Sequence, residues 1–416
     1  MLISLRSILA TIMCATFMLV PGCIETPVKV TGASTPAVAF DRNSGNYLSV
    51  YVKMRSWNGG ESRIEGRLLN AQGAPVGDRI ILERYVTTYS CPAVVNSSMN
   101  GRFLVTWNSV GDTWKHKGHV YGRIVNADGS LFGDRIILST WEESKGPWER
   151  CSSISYNSDQ GYYLVAWSEE NILGQESVFA QRVTESGNLA GPKMPLSMDG
   201  AIVAFTASAY DRLNQRFLVL WESSDRQAIM GRMINGDGTF TAPAFTVNAD
   251  SGLHHMPTVA YDSDTSRYLV TWEQSAADSS GHSLMGQVLN DDGTINQPPF
   301  VISSPGLDIR SPVSLYNSIH KSYFLAFGST AGAEERIYAQ VVLPDGSLDT
   351  SVSSANVMLS DADYPGEEAP SAAFDGNNGR FYVVWAYGHI GEYGPQQISD
   401  IHGRLVNPDG TAGSDI

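Results

Sequence analysis

A three-part pattern recurs seven times between Thr35 and Ile416: an aromatic strand, a strand that carries Gly-Arg or Ala-Gln, and an Asx-Gly turn. The copies are 51 to 60 residues apart, since the aromatic strand ends in turn at Tyr51, Trp107, Trp167, Trp221, Trp272, Phe327 and Trp385. A repeat of this length is typical of supersecondary units that stack on one another. We therefore expect an array of seven similar sheets.

Each copy contains the signals of four strands. A small-residue strand such as 257–261 comes first and ends in a polar Asp/Asn turn. The second run, for example 268–272, is aromatic and β-branched, which favours a buried strand. The third strand carries the Gly-Arg or Ala-Gln pair, and an Asp-Gly pair such as Asp292-Gly293 predicts a two-residue hairpin turn before a short fourth strand. Because the Arg or Gln recurs in every copy, we assign it to the blade junctions rather than to a ligand.

Four antiparallel strands repeated seven times predict an all-β fold, a seven-bladed β-propeller with blades starting near residues 35, 91, 151, 205, 256, 311 and 369. A ring must join its last blade to its first or leave unpaired strand edges. The seventh copy stops at Gly413–Ile416, where a fourth strand should begin, and Pro27–Thr31 stands in the place of a fourth strand ahead of the first copy. We expect this N-terminal strand to complete the last blade.

The repeat differs from the familiar propeller motifs, since no Trp-Asp pair accompanies its Gly-His pairs and its one Gly-Gly doublet does not recur as in kelch repeats. The chain resembles the uncharacterised repeat propellers of bacterial surface and secreted proteins over nearly its whole mature length. That resemblance implies a fold and no particular reaction.

The N-terminal residues predict export. Arg6 precedes an apolar stretch over residues 8–20 that is too short for a spanning helix and typical of a secretory signal. The following Val20-Pro21-Gly22-Cys23 resembles a bacterial lipobox, which implies a lipoprotein signal peptide over 1–22, diacylation of Cys23, a short linker over 23–26 and the propeller over 27–416. Ile24 in place of Asp favours the outer membrane. The alternative is an ordinary signal peptide with an incidental cysteine.

Composition limits the partners. The formal net charge is −15, and −16 once Arg6 leaves with the signal, which argues against nucleic acid and anionic lipid surfaces. We expect the membrane to be contacted only through the lipid.

Cys91 and Cys151 hold the same place in consecutive copies, directly before the first strand. Equivalent positions on neighbouring inner strands lie close together around a propeller axis, so we predict a Cys91–Cys151 disulfide. The alternative is a pair of small buried thiols.

Loops of variable length should gather on one face of the ring. Strand-two to strand-three loops and the connections between blades fall on that side, and variable loops on a rigid scaffold are where binding residues usually lie. Five of the nine tryptophans end the repeated aromatic strand and are interpreted as core. The others fall on the variable side in one sector with two tyrosines and several charged residues: Trp57, Trp114, Trp141, Trp148, Tyr85, Tyr89, Glu142, Glu143, Lys145, Glu149 and Arg150.

Grouped exposed aromatic and polar residues favour an interaction surface. The alternative is that the loop over 142–150 folds over the channel and that its rings form a small core of their own. Chemical motifs are sparse. His254, His255 and His282 are weak candidates for a metal site, and the sequence carries no motif that predicts a cofactor.

The leading hypothesis is a lipid-anchored binding or scaffold protein that recognises an envelope protein or an extracellular glycan through its variable face. One alternative is a polysaccharide hydrolase or lyase with carboxylates at the channel mouth. Another is a structural component of an envelope assembly.

Overall fold

The computed structural model describes residues 30–31, 33–53, 62–86, 90–109, 119–139, 151–170, 176–197, 205–223, 225–248, 251–276, 281–303, 308–331, 334–350, 356–360, 367–387 and 400–415. All regular elements within these ranges are strands. The described residues contain no helix that is long and apolar enough to span a membrane. The predicted signal peptide and Cys23 lie outside the described residues.

The strands form seven sheets that follow one another along the chain. Blade 1 contains Ala33–Asp41 (β2), Asn46–Lys53 (β3), Ser62–Leu69 (β4) and Pro75–Val86 (β5). Blade 2 contains Ala93–Asn96 (β6), Phe103–Ser109 (β7), His119–Val125 (β8) and Leu131–Ile137 (β9). Blade 3 contains Ser153–Asn157 (β10), Tyr162–Glu170 (β11), Glu176–Thr184 (β12) and Leu189–Pro195 (β13).

The next three blades repeat this order. Blade 4 contains Thr206–Asp211 (β14), Arg216–Glu222 (β15), Ile229–Asn235 (β16) and Phe245–Thr246 (β17). Blade 5 contains Leu253–Asp262 (β18), Arg267–Ser275 (β19), Ser283–Asn290 (β20) and Phe300–Ser303 (β21). Blade 6 contains Asp308–Asn317 (β22), Ser322–Ala331 (β23), Glu334–Val342 (β24) and Val357–Met358 (β25). Every pairing inside a blade is antiparallel, so the predicted seven-bladed β-propeller is confirmed.

The seventh blade closes the ring with both ends of the described chain. It contains Glu367–Asp375 (β26), Arg380–Tyr387 (β27), Asp400–Val406 (β28) and Ala412–Asp415 (β29), and the N-terminal strand Val30–Thr31 (β1) pairs with β28. β29 pairs with the end of β28 near Val406, whereas β1 pairs with Ile401 and Asp400. The prediction that the N-terminal strand completes the last blade is therefore confirmed, and the short strand β29 shares the same edge of β28.

The second strand of each blade is the buried centre of the fold. Trp107, Trp167 and Trp272 are fully buried. They pack in clusters that combine residues of neighbouring blades, as Leu48 and Trp107 do. Full burial of a large apolar side chain stabilises a fold by about 1.5–3 kcal/mol, so the repeated tryptophan accounts for much of the cohesion between blades.

The small residue of the third strand makes room for a fourth-strand ring. A Cβ atom on Gly286 would lie 2.7 Å from Phe300, and one on Gly231 would lie 2.9 Å from Phe245. The neighbouring Arg or Gln is structural, but its contacts differ. Arg232 crosses a junction to donate to the carbonyl of Leu196 (2.7 Å), whereas glutamines such as Gln181 donate to carbonyls of their own blade.

The Asp-Gly turns are longer by one residue than predicted. In each of them the glycine lies at φ between 83° and 91°, and its N–H donates to a carbonyl three residues earlier. The strand then re-pairs with the residue after the glycine, for example Asn126 with Ser130, and the Asp128 carboxylate accepts from the Ser130 N–H (2.9 Å). This is a three-residue loop with a glycine bulge. The side-chain bond to Ser or Thr selects it.

The predicted disulfide is confirmed. Cys91 and Cys151 are bonded with their Cα atoms 5.1 Å apart, which joins the inner edges of blades 2 and 3. The Cys91 N–H donates to Asn108 Oδ1 (2.7 Å) at the end of β7.

Candidate functional site

The two faces of the ring have different edges. On one, here called the short-turn face, Asp or Asn side chains cap the turns between the first two strands, as Asp262 does for the N–H groups of Asp264 and Thr265. On the other, the variable face, the second strands end and the first strands begin, as the pairing of His255 with Glu273 shows. The candidate functional residues lie along this second edge.

Most of the predicted aromatic sector lies outside the described residues: Trp57, Trp114, Trp141, Trp148, Tyr89, Glu142, Glu143, Lys145, Glu149 and Arg150. Tyr85 is the residue of this sector that the structure describes. It lies in β5 where the register with β4 shifts, its φ is 64°, and it is 66% exposed. A positive φ is costly for a bulky residue, and such positions concentrate at functional sites.

Polar contacts surround this edge of blades 1 and 2. Arg135 of β9 forms an ion pair with Glu83 of β5 (2.9 Å), and its guanidinium lies 4.4 Å from the ring centre of Tyr121. Such stacking holds a cation in place. Tyr85 therefore lies two residues after Glu83, and the ion pair with Arg135 fixes the position of Glu83.

The three histidines of the weak metal prediction do not converge. His254 is fully buried, and its Nε2 lies 2.8 Å from Asn248 Nδ2 inside the blade. His255 and His282 do come together, with ring centres 6.5 Å apart. The described residues contain no group of three or more His, Cys, Asp or Glu side chains arranged to hold a metal ion.

Each of the two paired histidines lies beside a buried glutamate. His255 Nδ1 is 4.0 Å from Glu222 Oε2, and His282 Nδ1 is 3.8 Å from Glu273 Oε2. His282 Nε2 is 3.7 Å from Asp308 Oδ1. We call His255, His282, Glu222, Glu273 and Asp308 the histidine–carboxylate cluster; it spans blades 4, 5 and 6.

Bulges in the first strands hold the two glutamates. Met256 and Ser311 adopt φ values of 48° and 49° directly before Pro257 and Pro312, and the register of the strand shifts there. The Met256 N–H donates to Glu222 Oε1 (2.7 Å), and the Ser311 N–H donates to Glu273 Oε1 (2.5 Å). Each glutamate thus links its own blade to the next and keeps its second oxygen towards a histidine.

Burial controls the protonation of the cluster. Desolvation raises the pKa of Glu273 to about 7, although the Ser311 N–H and Arg310 oppose the shift. Desolvation also lowers the pKa of His255 to about 4, and Arg226 and His282 add to the effect. At neutral pH His255 is therefore neutral, and Glu273 is partly protonated.

The solvent-exposed side of the cluster is charged. Arg310 and Asp308 form an ion pair of 2.8 Å, with their side chains 56% and 35% exposed, against 14% for His282 and 5% for Glu273. The bond to Asp308 raises the pKa of Arg310. Exposure therefore decreases stepwise from this ion pair through the imidazoles to the glutamates.

Sequence reasoning missed Glu222 and Glu273, although a signal for them existed. Both directly follow the repeated tryptophan, where the other copies have Val52, Asn108, Ser168, Gly328 and Ala386. A charged residue at a buried repeat position, in two consecutive copies only, departs from the repeat consensus. Such departures mark candidate functional positions.

No protein-family model matches the chain, and no curated protein sequence matches it. Solved structures share the fold. Puromycin hydrolase is 14% identical with a TM-score of 0.53, and a variant of it complexed with PGG is 13% identical with a TM-score of 0.55. In both cases the match covers 92% of this chain and 53% of the hydrolase, so the chain spans about half the length of that protein.

The match with the polysaccharide lyase Uly1 covers a larger share of that protein than the match with puromycin hydrolase does. It is 10% identical with a TM-score of 0.55, and the match covers 90% of each chain. At these identities the likeness extends to the fold alone.

Proposed function

We propose that this protein is a lipid-anchored, extracytoplasmic propeller that binds a glycan through its variable face. The exposed, positive-φ Tyr85 at the edge of blade 1 is the observation on which the proposal rests. An aromatic ring fixed on a strand offers contact area at little entropic cost, and its hydroxyl group remains available for hydrogen bonds. The predicted tryptophans of the same sector would extend this platform.

The charged groups of the variable face suit the same ligand class. Arg135, Glu83, Arg310 and Asp308 lie in fixed pairs at its edge. Paired charges can exchange hydrogen bonds with sugar hydroxyl groups without presenting a large single-sign field. A polysaccharide-acting protein among the fold neighbours gives a precedent for this ligand on a propeller.

Anchoring would act through blade 7. β1 runs towards the variable face, because Thr31 pairs with Asp400 and Val30 with Ile401. A lipid on Cys23, a few residues before β1, would tether the ring at blade 7. Cys23→Ser should release the protein from the membrane fraction. Retention in that fraction would contradict the lipidation.

Binding is tested with the mature protein on a glycan array and by pull-down from detergent-solubilised envelope. Tyr85→Ala and Trp141→Ala/Trp148→Ala should each weaken array binding by at least about tenfold, as loss of a central aromatic contact does. Leu213→Ala, at a residue 62% exposed on the short-turn face, is the matched control and should bind normally. Unchanged binding in both aromatic variants would refute the assignment, and capture of one fixed envelope protein without glycan binding would show a protein partner instead.

A further inference from the structure

We propose that the histidine–carboxylate cluster is an acid–base site in which His282, positioned by Glu273, hydrolyses a glycosidic bond. The inference rests on the proposed function, because the glycan must dock on the variable face. It differs from the polysaccharide hydrolase or lyase that the sequence predicts as an alternative, in which carboxylates at the channel mouth are the catalytic groups and histidines have no part. Histidine and carboxylate groups in contact are the usual carriers of proton transfer in catalysis.

The geometry consists of two matching pairs. Glu222 faces Nδ1 of His255, and Glu273 faces Nδ1 of His282. A protonated carboxyl group beside Nδ1 holds the ring proton on Nε2, whereas a carboxylate there holds it on Nδ1. The separations of 4.0 and 3.8 Å exceed a hydrogen bond, as catalytic contacts often do before substrate binds.

Access favours the imidazoles as the groups that touch substrate. His255 and His282 are 16% and 14% exposed, whereas Glu222 and Glu273 are 2% and 5% exposed. The glutamates are therefore positioning residues. His282 and His255 are the catalytic residues of the proposal.

The local charges select the substrate class. Three carboxyl groups surround two imidazoles, and Arg310 is already paired with Asp308. Glycoside hydrolysis develops positive charge at the anomeric carbon, which neighbouring carboxylates stabilise. Lyase chemistry on a uronate develops negative charge, which they oppose. The substrate is therefore a neutral or amino-sugar glycan rather than a polyuronate.

The step balances with water as the only co-reactant. Glu273 gives its proton to Nδ1 of His282, while Nε2–H of His282 protonates the glycosidic oxygen and the bond from that oxygen to the anomeric carbon breaks. Water forms the new bond to the anomeric carbon, and its proton goes to His255. Solvent then carries the proton from His255 to Nε2 of His282, and Nδ1 of His282 returns its proton to Glu273, which restores the starting state.

The pH dependence follows from these roles. The charged and titratable groups that act on the two pairs are Arg226, His254, Asp308 and Arg310, and Glu335 acts on Arg310. His255 must be unprotonated and Glu273 protonated. Activity should therefore fall below a pKa of about 4 and above a pKa of about 7.

The experiment incubates the full mature protein with mannan, xylan, chitosan and peptidoglycan fragments, and with alginate and pectate. Reducing ends and the ultraviolet absorbance of unsaturated uronates are both measured. Reducing ends should appear from at least one neutral or amino-sugar substrate, without that absorbance. His282→Gln should lower the rate at least about 100-fold at unchanged array binding, whereas His320→Gln, in an exposed turn of the short-turn face, should not.

Glu273→Gln separates positioning from folding. The amide oxygen can still accept from the Ser311 N–H, but no proton remains to titrate, so the fall in activity near pH 7 should disappear together with most of the rate. A cooperative thermal transition for both variants shows that they fold. Array binding without reducing ends from any substrate, or unsaturated products, would overturn this inference and leave the proposed function intact. Cleavage without array binding would refute the proposed function instead.

Discussion

The buried Glu273 should make the stability of the protein depend on pH in a way that Glu273→Gln abolishes. The carboxyl side chain is 5% exposed, and burial raises its pKa from the ordinary 4.5 to about 7. A pKa difference of one is worth about 1.4 kcal/mol. The whole difference therefore corresponds to about 3 kcal/mol of unfolding free energy, as an order of magnitude.

The sign follows from proton binding. Below the unfolded pKa, both states hold the proton and the contribution is fully present. As the pH rises, the unfolded chain loses its proton near 4.5 while the folded protein keeps it until about 7, so stability is lost across this window. The glutamine variant has no such loss, and its stability relative to wild type should rise by about 3 kcal/mol between pH 4 and pH 8.

Denaturant unfolding of the oxidised protein, measured at several pH values in this range, tests the prediction. Ser275→Ala, two residues along the same strand, removes no titrating group and serves as the control, because its difference from wild type should not change with pH. A glutamine variant that differs from wild type by a constant amount at every pH would refute the argument that Glu273 stays protonated through burial.

Three further predictions concern the scaffold. Cys91→Ser/Cys151→Ser should lower the free energy of unfolding by about 4 kcal/mol, since the bridge closes a loop of 60 residues, and the unfolded, unreduced variant should titrate as many thiols as wild type; a variant count lower by two would contradict the bridge. Gly231→Ala should cost about 1–3 kcal/mol by denaturant unfolding through its clash with Phe245, and Gly231→Ala/Phe245→Leu should recover most of that loss; equal stability of the two variants would argue against the clash. Trp272→Ala should cost about 3–5 kcal/mol, against less than about 0.5 for the exposed Leu213→Ala, and a small loss at Trp272 would contradict its place in the core.

The fold could be predicted because its signals are local and repeated. The aromatic strand that ends at Trp272, the turn residues and the fixed spacing recur in seven copies, so an error in one is corrected by the others. The Cys91–Cys151 bridge could be predicted for the same reason, since equivalent repeat positions meet at the axis. Repetition thus supplied information about distant contacts.

The shared edge of β28 and the histidine–carboxylate cluster could not be predicted, because they depend on features that do not repeat. The composite edge of β28 arises because the segment after Thr411 returns antiparallel, and pattern counting did not include this short strand. The histidine–carboxylate cluster depends on bulges at Met256 and Ser311, which direct backbone N–H groups towards glutamates of the preceding blades. The orientation of His254 towards Asn248 is likewise a tertiary contact with no signal in the spacing of the three histidines.

Hydrogen–deuterium exchange of the mature protein, with and without a saturating glycan fragment chosen from the array, tests the central claim most directly. We predict slower exchange on the variable face, at the β5 segment with Tyr85 and at the edges of blades 4 to 6 around His255, Glu273 and Asp308. The turns of the short-turn face, such as 41–46 and 211–216, should exchange unchanged. Protection confined to those turns would contradict the assignment of the binding face.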